Sequence, residues 1–350
     1  MRDNRDMPPK NLEKIQSPKI LVVPLRFIGD TVVSVPLVRN LRYAYPQARI
    51  DVLVNTLTRS LLDPCPYVAS LMIEPETASA TQAMLKREKY DAVFILRKSV
   101  TMAMMCKMAG TDLVVGYDKQ RYPFGYKRWG LFLDKKAKYP SLKTTTPQVQ
   151  NHLSLLRACD IPVVDDHLEL WARPEDEAMV SALLMGYEVD ESAPLAVVHA
   201  MSGSHGKTLD SRKFRLAVEK LLDAGYAVAA TGGAKDAHIY KGLHPKLINL
   251  AGKTSLRETY ALYKRTQFLV TVDSAPLHLA AAAGVPNIVG VFGPTNEKQW
   301  RPYNTSVNFK PVFIDMPCRP CYAKVCSHNN CRMQMTPEQI AQGVIKLLEK

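Results

Sequence analysis

From Lys19 onward, short β-branched apolar runs alternate with stretches of helical period, and the alternation happens twice along the chain. In the first half the apolar runs fall at 20–25, 50–54, 69–73, 92–96 and 113–116, with helical patterns at 31–45, 79–88 and 100–108 and another around 148–159. Strands joined through helices pair in parallel, because a hairpin would reverse the chain direction. The second half repeats the pattern, with strands at 195–199, 226–231, 247–250, 268–272 and 287–292 and helices at 211–224, 236–243, 255–264 and 274–283. Each half therefore predicts an α/β, doubly wound, Rossmann-like domain. The expected division is a tail at 1–18, a first domain at 19–175, a linker region at 176–193 within an acidic stretch that holds one short helix, and a second domain at 194–335. A closing helix at 336–350 has Thr336, Pro337 and Gln339 as its capping signature. Its stripe of Ile340, Val344, Leu347 and Leu348 predicts that it docks.

An apolar share of 47% in 350 residues supports two packed cores and excludes a disordered chain. The formal charge of +13 predicts anionic partners: nucleic acid, a phosphorylated metabolite or an acidic membrane surface. The first residues lack the apolar core of a secretory signal, so a cytoplasmic protein is expected. The stretch 268–294 is apolar but broken by Asp273, His278 and prolines, which makes it unfit to span a membrane. Cys318, Cys321, Cys326 and Cys331 form a C-x2-C-x4-C-x4-C run, readable either as a zinc site or as structural thiols with or without one local disulfide.

The chemistry-bearing residues sit where strands end. The first strand runs through Arg26 and Gly29 into Asp30 and then a helix, which places this carboxylate at the carboxyl edge of the sheet as a general base or a helix cap. There is no G-x-G-x-x-G, and the second strand ends at Asn55 rather than at an acid, so a dinucleotide dehydrogenase is disfavoured. In the second half, the strand ending at His199 opens into a loop with Ser202, Gly203, Lys207 and Thr208. Met201 stands where a P-loop needs glycine, yet small residues, hydroxyls and one lysine still suit a phosphate. A further helix opens at Asp273, Ser274, Ala275 and Pro276 and stops at Gly284, so its N-terminus suits a diphosphate. Asp273 reads as a partner for sugar hydroxyls or as a cap; His278 faces the same helix end or is structural; Gly293 and Thr295 offer another wall. Asp236 or Glu258 could hold a ribose diol. No D-x-D occurs, which argues for metal-independent chemistry.

Taken together, K-I-L-V-V-P-L-R-F-I-G-D-T-V-V-S-V-P-L-V-R-N-L, the Lys207 loop, A-G-K-T-S-L-R-E, and D-S-A-P-L-H-L-A-A-A-A-G-V-P-N-I-V-G-V-F-G-P-T resemble glycosyltransferase family 9, the lipopolysaccharide heptosyltransferases. The resemblance runs from about Lys19 to the end of the chain, and the cysteine-rich segment is similar to one found in many members. It implies a GT-B fold, two Rossmann-like domains facing a central cleft, with the acceptor on the first and the donor on the second. It also implies inverting transfer of L-glycero-D-manno-heptose from ADP-heptose to the inner core of lipopolysaccharide, with no cofactor and no required metal. By the same resemblance Asp30 is the general base, Lys207 the donor-phosphate lysine, and Asp273 with Ser274 the acid and hydroxyl at the donor helix. Ala275 stands where the family usually has glycine, Leu209 replaces a common tryptophan, and Arg26-Phe27 replaces a hydroxyl-bearing pair.

On that reading the acceptor meets Arg26, Gly29 and a basic, aromatic loop with Arg121, Lys127 and Arg128. The same loop, continuing through Lys135, Lys136 and Lys138, suits a lipopolysaccharide core at the anionic cytoplasmic face of the inner membrane. The alternatives are a relative using another nucleotide sugar or acceptor, and a nucleic-acid-binding protein with a zinc module. The second is disfavoured by how few basic residues flank the cysteines.

Overall fold

Ile20, Val22 and Val23 are wholly buried, as expected of a strand covered by helices on both faces. They belong to β1 (Lys19–Val23), the centre of a parallel sheet with β2 (Arg49–Val54), β3 (Ser70–Ile73), β4 (Ala92–Ile95), β5 (Leu113–Asp118) and β6 (Lys135–Lys138) in the order β3-β2-β1-β4-β5-β6. Its helices are α1 (Ile28–Ala44), α2 (Thr56–Leu62), α3 (Ala78–Glu88), α4 (Val100–Met108) and α5 (Gln148–Arg157). These coordinates are a computed structural model that describes residues 15, 17–118, 130–204, 206–304, 306–323 and 325–350.

The described residues divide into two units, one from Met1–Pro140 with Gln148–Asp166 and one from Ser141–Pro147 with His167–Lys350. In the second, α6 (Pro174–Met185) precedes β7 (Leu195–His199), followed by α7 (Arg215–Asp223), β8 (Ala227–Ala230), β9 (Ile248–Asn249) and α8 (Leu256–Lys264). Then come β10 (Thr266–Val272), α9 (Ala275–Ala283), β11 (Asn287–Phe292), β12 (Asn308–Phe313), α10 (Asn330–Met333) and α11 (Pro337–Leu348). The sheet order is β12-β11-β10-β7-β8-β9, again all parallel. Counted from each unit's first strand, both orders are the Rossmann order 3-2-1-4-5-6. In such a sheet the crossovers on either side of the first strand leave in opposite directions, and a crevice opens at the carboxyl ends of the two central strands. Those strands are β1 and β4 in the first unit and β7 and β10 in the second.

Several elements differ from the sequence expectation. Helix α1 begins three residues early, at Ile28, with Phe27 as N-cap, so Asp30 lies inside its first turn and does not cap it. The short helix expected in the acidic stretch is present as α6, but it is tied to α8 by ion pairs from Arg257 to Asp176 (2.9 Å) and from Lys264 to Glu177. Lys135, Lys136 and Lys138 lie not in a loop but in β6, at the sheet edge. Helix α11 docks on the second unit: Ile340 and Val344 are fully buried among the residues of its core. Its Gly343 lies so close to the sheet that a Cβ there would sit 2.8 Å from Val312 and 3.1 Å from Val289.

Candidate active site

In the second unit the loop after β7 is closed on itself. Leu209 N–H donates to Ala200 O (3.2 Å), and Ser202 N–H donates to Thr208 Oγ1 (3.2 Å), whose hydroxyl donates back to Ser202 O (3.2 Å). Gly203 is exposed at the bend. The closed loop carries Lys207 across the switch point to Asp273, just past β10, with Nζ 2.9 Å from Oδ2. The hydroxyl of Thr295, beyond β11, donates to the same oxygen. Asp273 therefore does not cap α9; its carboxylate is occupied by a lysine and a threonine from two neighbouring strand ends. Gly293 allows this approach, because a Cβ there would lie 3.2 Å from Gly206 O.

Helix α9 starts at Ala275, behind Ser274 as N-cap, whose hydroxyl donates to Val272 O (3.3 Å) and makes no cap bond. Its first turn thus leaves the partial positive charge of the helix end unmet by the cap side chain. One turn on, His278 is 3% exposed, and its Nδ1 has no hydrogen-bond partner among the described residues. Burial pushes its imidazole down to about 4, Asp273 opposes that and Lys207 adds to it, so the ring is neutral near pH 7. Trp300, absent from the sequence reading, joins these groups: its ring is 5.9 Å from His278, edge to face, and 5.8 Å from Lys207 Nζ. Nothing in the spacing of the sequence marks Trp300; only the fold brings it here.

Beside this cluster, His199 Nδ1 is 3.1 Å from Thr231 Oγ1, while Tyr240 OH donates to Thr231 O (3.0 Å) and accepts from Ala200 N–H (2.9 Å). These bonds fix the ends of β7 and β8 against each other. Asp236 accepts from Gly233 N–H (3.0 Å) and Glu258 from Ser255 N–H (2.6 Å), so both suggested ribose partners are engaged in capping turns.

In the first unit Asp30 is 8% exposed. Burial, and then the charge of Asp30, raise the phenol of Tyr139, which places the two in one neighbourhood. Lys98 Nζ lies 3.8 Å above the Tyr139 ring, and Tyr117 packs edge-on against it at 5.5 Å. Arg26 is exposed, but its Nε and Nη2 donate to Glu74 (2.7 and 2.8 Å), which also accepts from Arg97 Nη1 (3.0 Å). Burial pushes the Glu74 carboxyl up, but the two guanidiniums outweigh it and hold the group at about 2. Glu74, Arg97, Lys98 and Tyr139 were not singled out from the sequence, although the first three follow the carboxyl ends of β3 and β4, where such groups collect. Gly29 lies in the first turn of α1. Arg121, Lys127 and Arg128, with Tyr122, Tyr126 and Trp129, lie outside the described residues.

Cys318 and Cys321 are exposed, Cys326 is half-buried and Cys331 is buried, and all four are free thiols in this structure. Among the described residues no three His, Cys, Asp or Glu side chains are arranged to hold a metal ion. No described helix is long and apolar enough to cross a membrane.

Comparison with known proteins agrees with this geometry. Lipopolysaccharide heptosyltransferase 3 of Escherichia coli is 26% identical over 320 residues, covering 84% of this chain and 90% of that protein. Among solved structures, a family 9 glycosyltransferase from Veillonella parvula superposes with a TM-score of 0.78 at 18% identity, over 95% of this chain and 97% of that one. The ADP-heptose lipopolysaccharide heptosyltransferase II of Escherichia coli gives 0.72 at 21%, over 95% and 98%. The sequence profile of glycosyltransferase family 9 (heptosyltransferase) matches residues 79–332, a span that contains Lys207, Asp273, Ser274, His278 and Thr295. By a match over most of its length, and with its two Rossmann-like sheets, the chain belongs to glycosyltransferase family 9.

Proposed function

We propose that the protein transfers heptose from ADP-heptose to a hydroxyl of the lipopolysaccharide inner core, with inversion at the anomeric carbon. The observation that carries this reading is the meeting of Lys207, Asp273 and Thr295 at the switch point of the second sheet, beside the N-terminus of α9. That is where an α/β sheet of this order receives a nucleotide phosphate. The names of the similar proteins supply the sugar and the acceptor.

The chemistry divides between the units. Asp30 accepts the proton of the acceptor hydroxyl as that oxygen attacks the anomeric carbon; the bond to the ADP oxygen breaks in the same displacement. Negative charge grows on the departing diphosphate. Lys207 meets it with the N–H bonds that Asp273 does not occupy, and the N-terminal end of α9 adds its dipole. Ser202, Gly203 and Thr208 shape the loop that holds Lys207, and His278 stays neutral beside the phosphates. On the acceptor side Arg26 and Arg97 converge on Glu74, and Lys98 lies over Tyr139, whose phenol feels the charge of Asp30; these cations are the ones suited to the carboxylates and phosphates of a lipopolysaccharide core. The protein then works at the cytoplasmic face of the inner membrane, held there by its surplus of positive charge. Lys135 and Lys136 contribute less to that attraction than their number implies. They face Asp160 (3.9 Å) and Asp118 (3.4 Å), and lysine on an edge strand also deters strand pairing.

Asp30→Asn tests the base. With ADP-heptose and a heptose-accepting core oligosaccharide, ADP release should fall by about 10²- to 10⁴-fold while the donor KM holds. Near-wild-type turnover would remove Asp30 from the mechanism.

A further inference from the structure

The donor residues are braced from behind by a segment with no assigned role. Arg319, between Cys318 and Cys321, keeps 5% of its side chain exposed. Its Nε donates to Gly293 O (2.5 Å) and its Nη2 to Thr295 O (3.0 Å), so one planar guanidinium grips two carbonyls of the turn that presents Thr295. Glu297 lies 3.4 Å from Nη2, and the Phe313 ring lies 4.5 Å from the guanidinium carbon, which leaves the fork little freedom to turn. The carbonyl between those two, on Pro294, accepts from the backbone N–H groups of Cys321 (2.9 Å) and Tyr322 (3.0 Å). All three carbonyls of the Gly293-Pro294-Thr295 turn are therefore held by this one segment.

The same segment reaches the other side of the site. Tyr322 OH accepts from Trp300 Nε1 (3.1 Å) and donates to Gln299 Oε1 (2.5 Å), which orients the indole that lies beside both Lys207 and His278. Tyr322 has a φ of 57°, a left-handed conformation that costs a tyrosine energy and has to be offset by such contacts.

We propose that Arg319 and Tyr322 are positioning residues of the donor site: Arg319 sets Thr295 against Asp273, and so Lys207, while Tyr322 sets Trp300. The cysteine-rich segment is thus a brace for the diphosphate subsite, a role that rests on the ADP-sugar reading above. A wrongly placed Thr295 releases Asp273, and Lys207 then loses the contact that fixes its Nζ. A brace of this kind acts on donor binding and on the leaving group, and leaves the acceptor alone.

The test uses the full-length protein. Tyr322→Phe deletes one hydroxyl and Arg319→Gln removes the fork. Each should weaken ADP binding, measured by titration calorimetry, about threefold to tenfold. The KM of the ADP-sugar should rise in step and the acceptor KM should hold. Arg319→Lys, which can reach one carbonyl at a time, should fall between Arg319→Gln and wild type. In a double-mutant cycle, Arg319→Gln with Thr295→Val should lose little more ADP affinity than the worse single variant, because both cut the same chain of contacts. Purely structural residues would lower thermal stability, leave ADP affinity intact and show effects independent of Thr295. Any of those affinity results overturns the brace while ADP-sugar transfer stands. A wild-type protein that does not bind ADP overturns the donor reading, and the brace with it.

Discussion

Asp273 is almost wholly buried, whereas its partner Lys207 keeps 26% of its side chain in water. This difference predicts which half of the pair the fold can spare. Lys207→Ala strands a carboxylate in the interior with the Thr295 hydroxyl still donating to it, and breaking a buried pair in that way costs about 3–5 kcal/mol. Asp273→Asn leaves an ammonium that can swing into solvent and an amide that can still accept from Thr295, for about 1–2 kcal/mol. Urea unfolding should therefore rank Lys207→Ala well below Asp273→Asn, although both lose turnover. Equal losses would contradict that ranking. The sequence was informative about these residues as types but not as a pair. Lys207 and Asp273 could each be placed at a strand end, yet that one occupies the other depends on β7 and β10 being neighbours, which local spacing does not encode. The capping alternative for Asp273 failed for the same reason. Asp236 and Glu258 each accept from a backbone N–H three residues earlier, a local pattern that spacing does encode.

At the scale of elements, the strands and helices that the sequence showed clearly are those with buried, uninterrupted apolar runs, such as β1, β4, β7 and β10. Of the edge strands, β3 and β9 were legible and β6 and β12 were not. β6 reads Lys-Lys-Ala-Lys and β12 carries Pro311, and both patterns belong to edge strands, where charge and a missing N–H are tolerated. The short helix expected in the acidic stretch is α6, but the two ion pairs that hold it to α8 are tertiary and could not be read from the sequence. The early start of α1 had no polar cap to announce it. The closing helix was visible from its cap and stripe, but not the reason for its glycine. Gly343→Ala should gain about 1 kcal/mol of helix propensity and lose about 1–3 kcal/mol by forcing a methyl against Val312 and Val289. A net fall of about 1 kcal/mol in denaturant unfolding is expected. A more stable variant would show that α11 can lift from the sheet without cost.

For the molecule as a whole, the repeated strand order gives each unit a crevice of its own for a share of the proposed chemistry. Each sheet opens a crevice at its own switch point, and the chain places a carboxylate with arginines and a lysine at one and a lysine with an acid and a helix N-terminus at the other. In the proposed mechanism, proton removal falls to the first unit and leaving-group stabilisation to the second. The net charge of +13, at first compatible with nucleic acid, is better matched to anionic substrates at both crevices. The central claim is the identity of the donor, and one measurement addresses it directly: ADP or other nucleotide release by the purified protein from a panel of nucleotide sugars, with a heptose-accepting lipopolysaccharide core present and the product weighed by mass spectrometry. Turnover of ADP-heptose above every other donor is expected, with one heptose added to the core. Faster transfer from a different nucleotide sugar, or no heptose on the core, would contradict it.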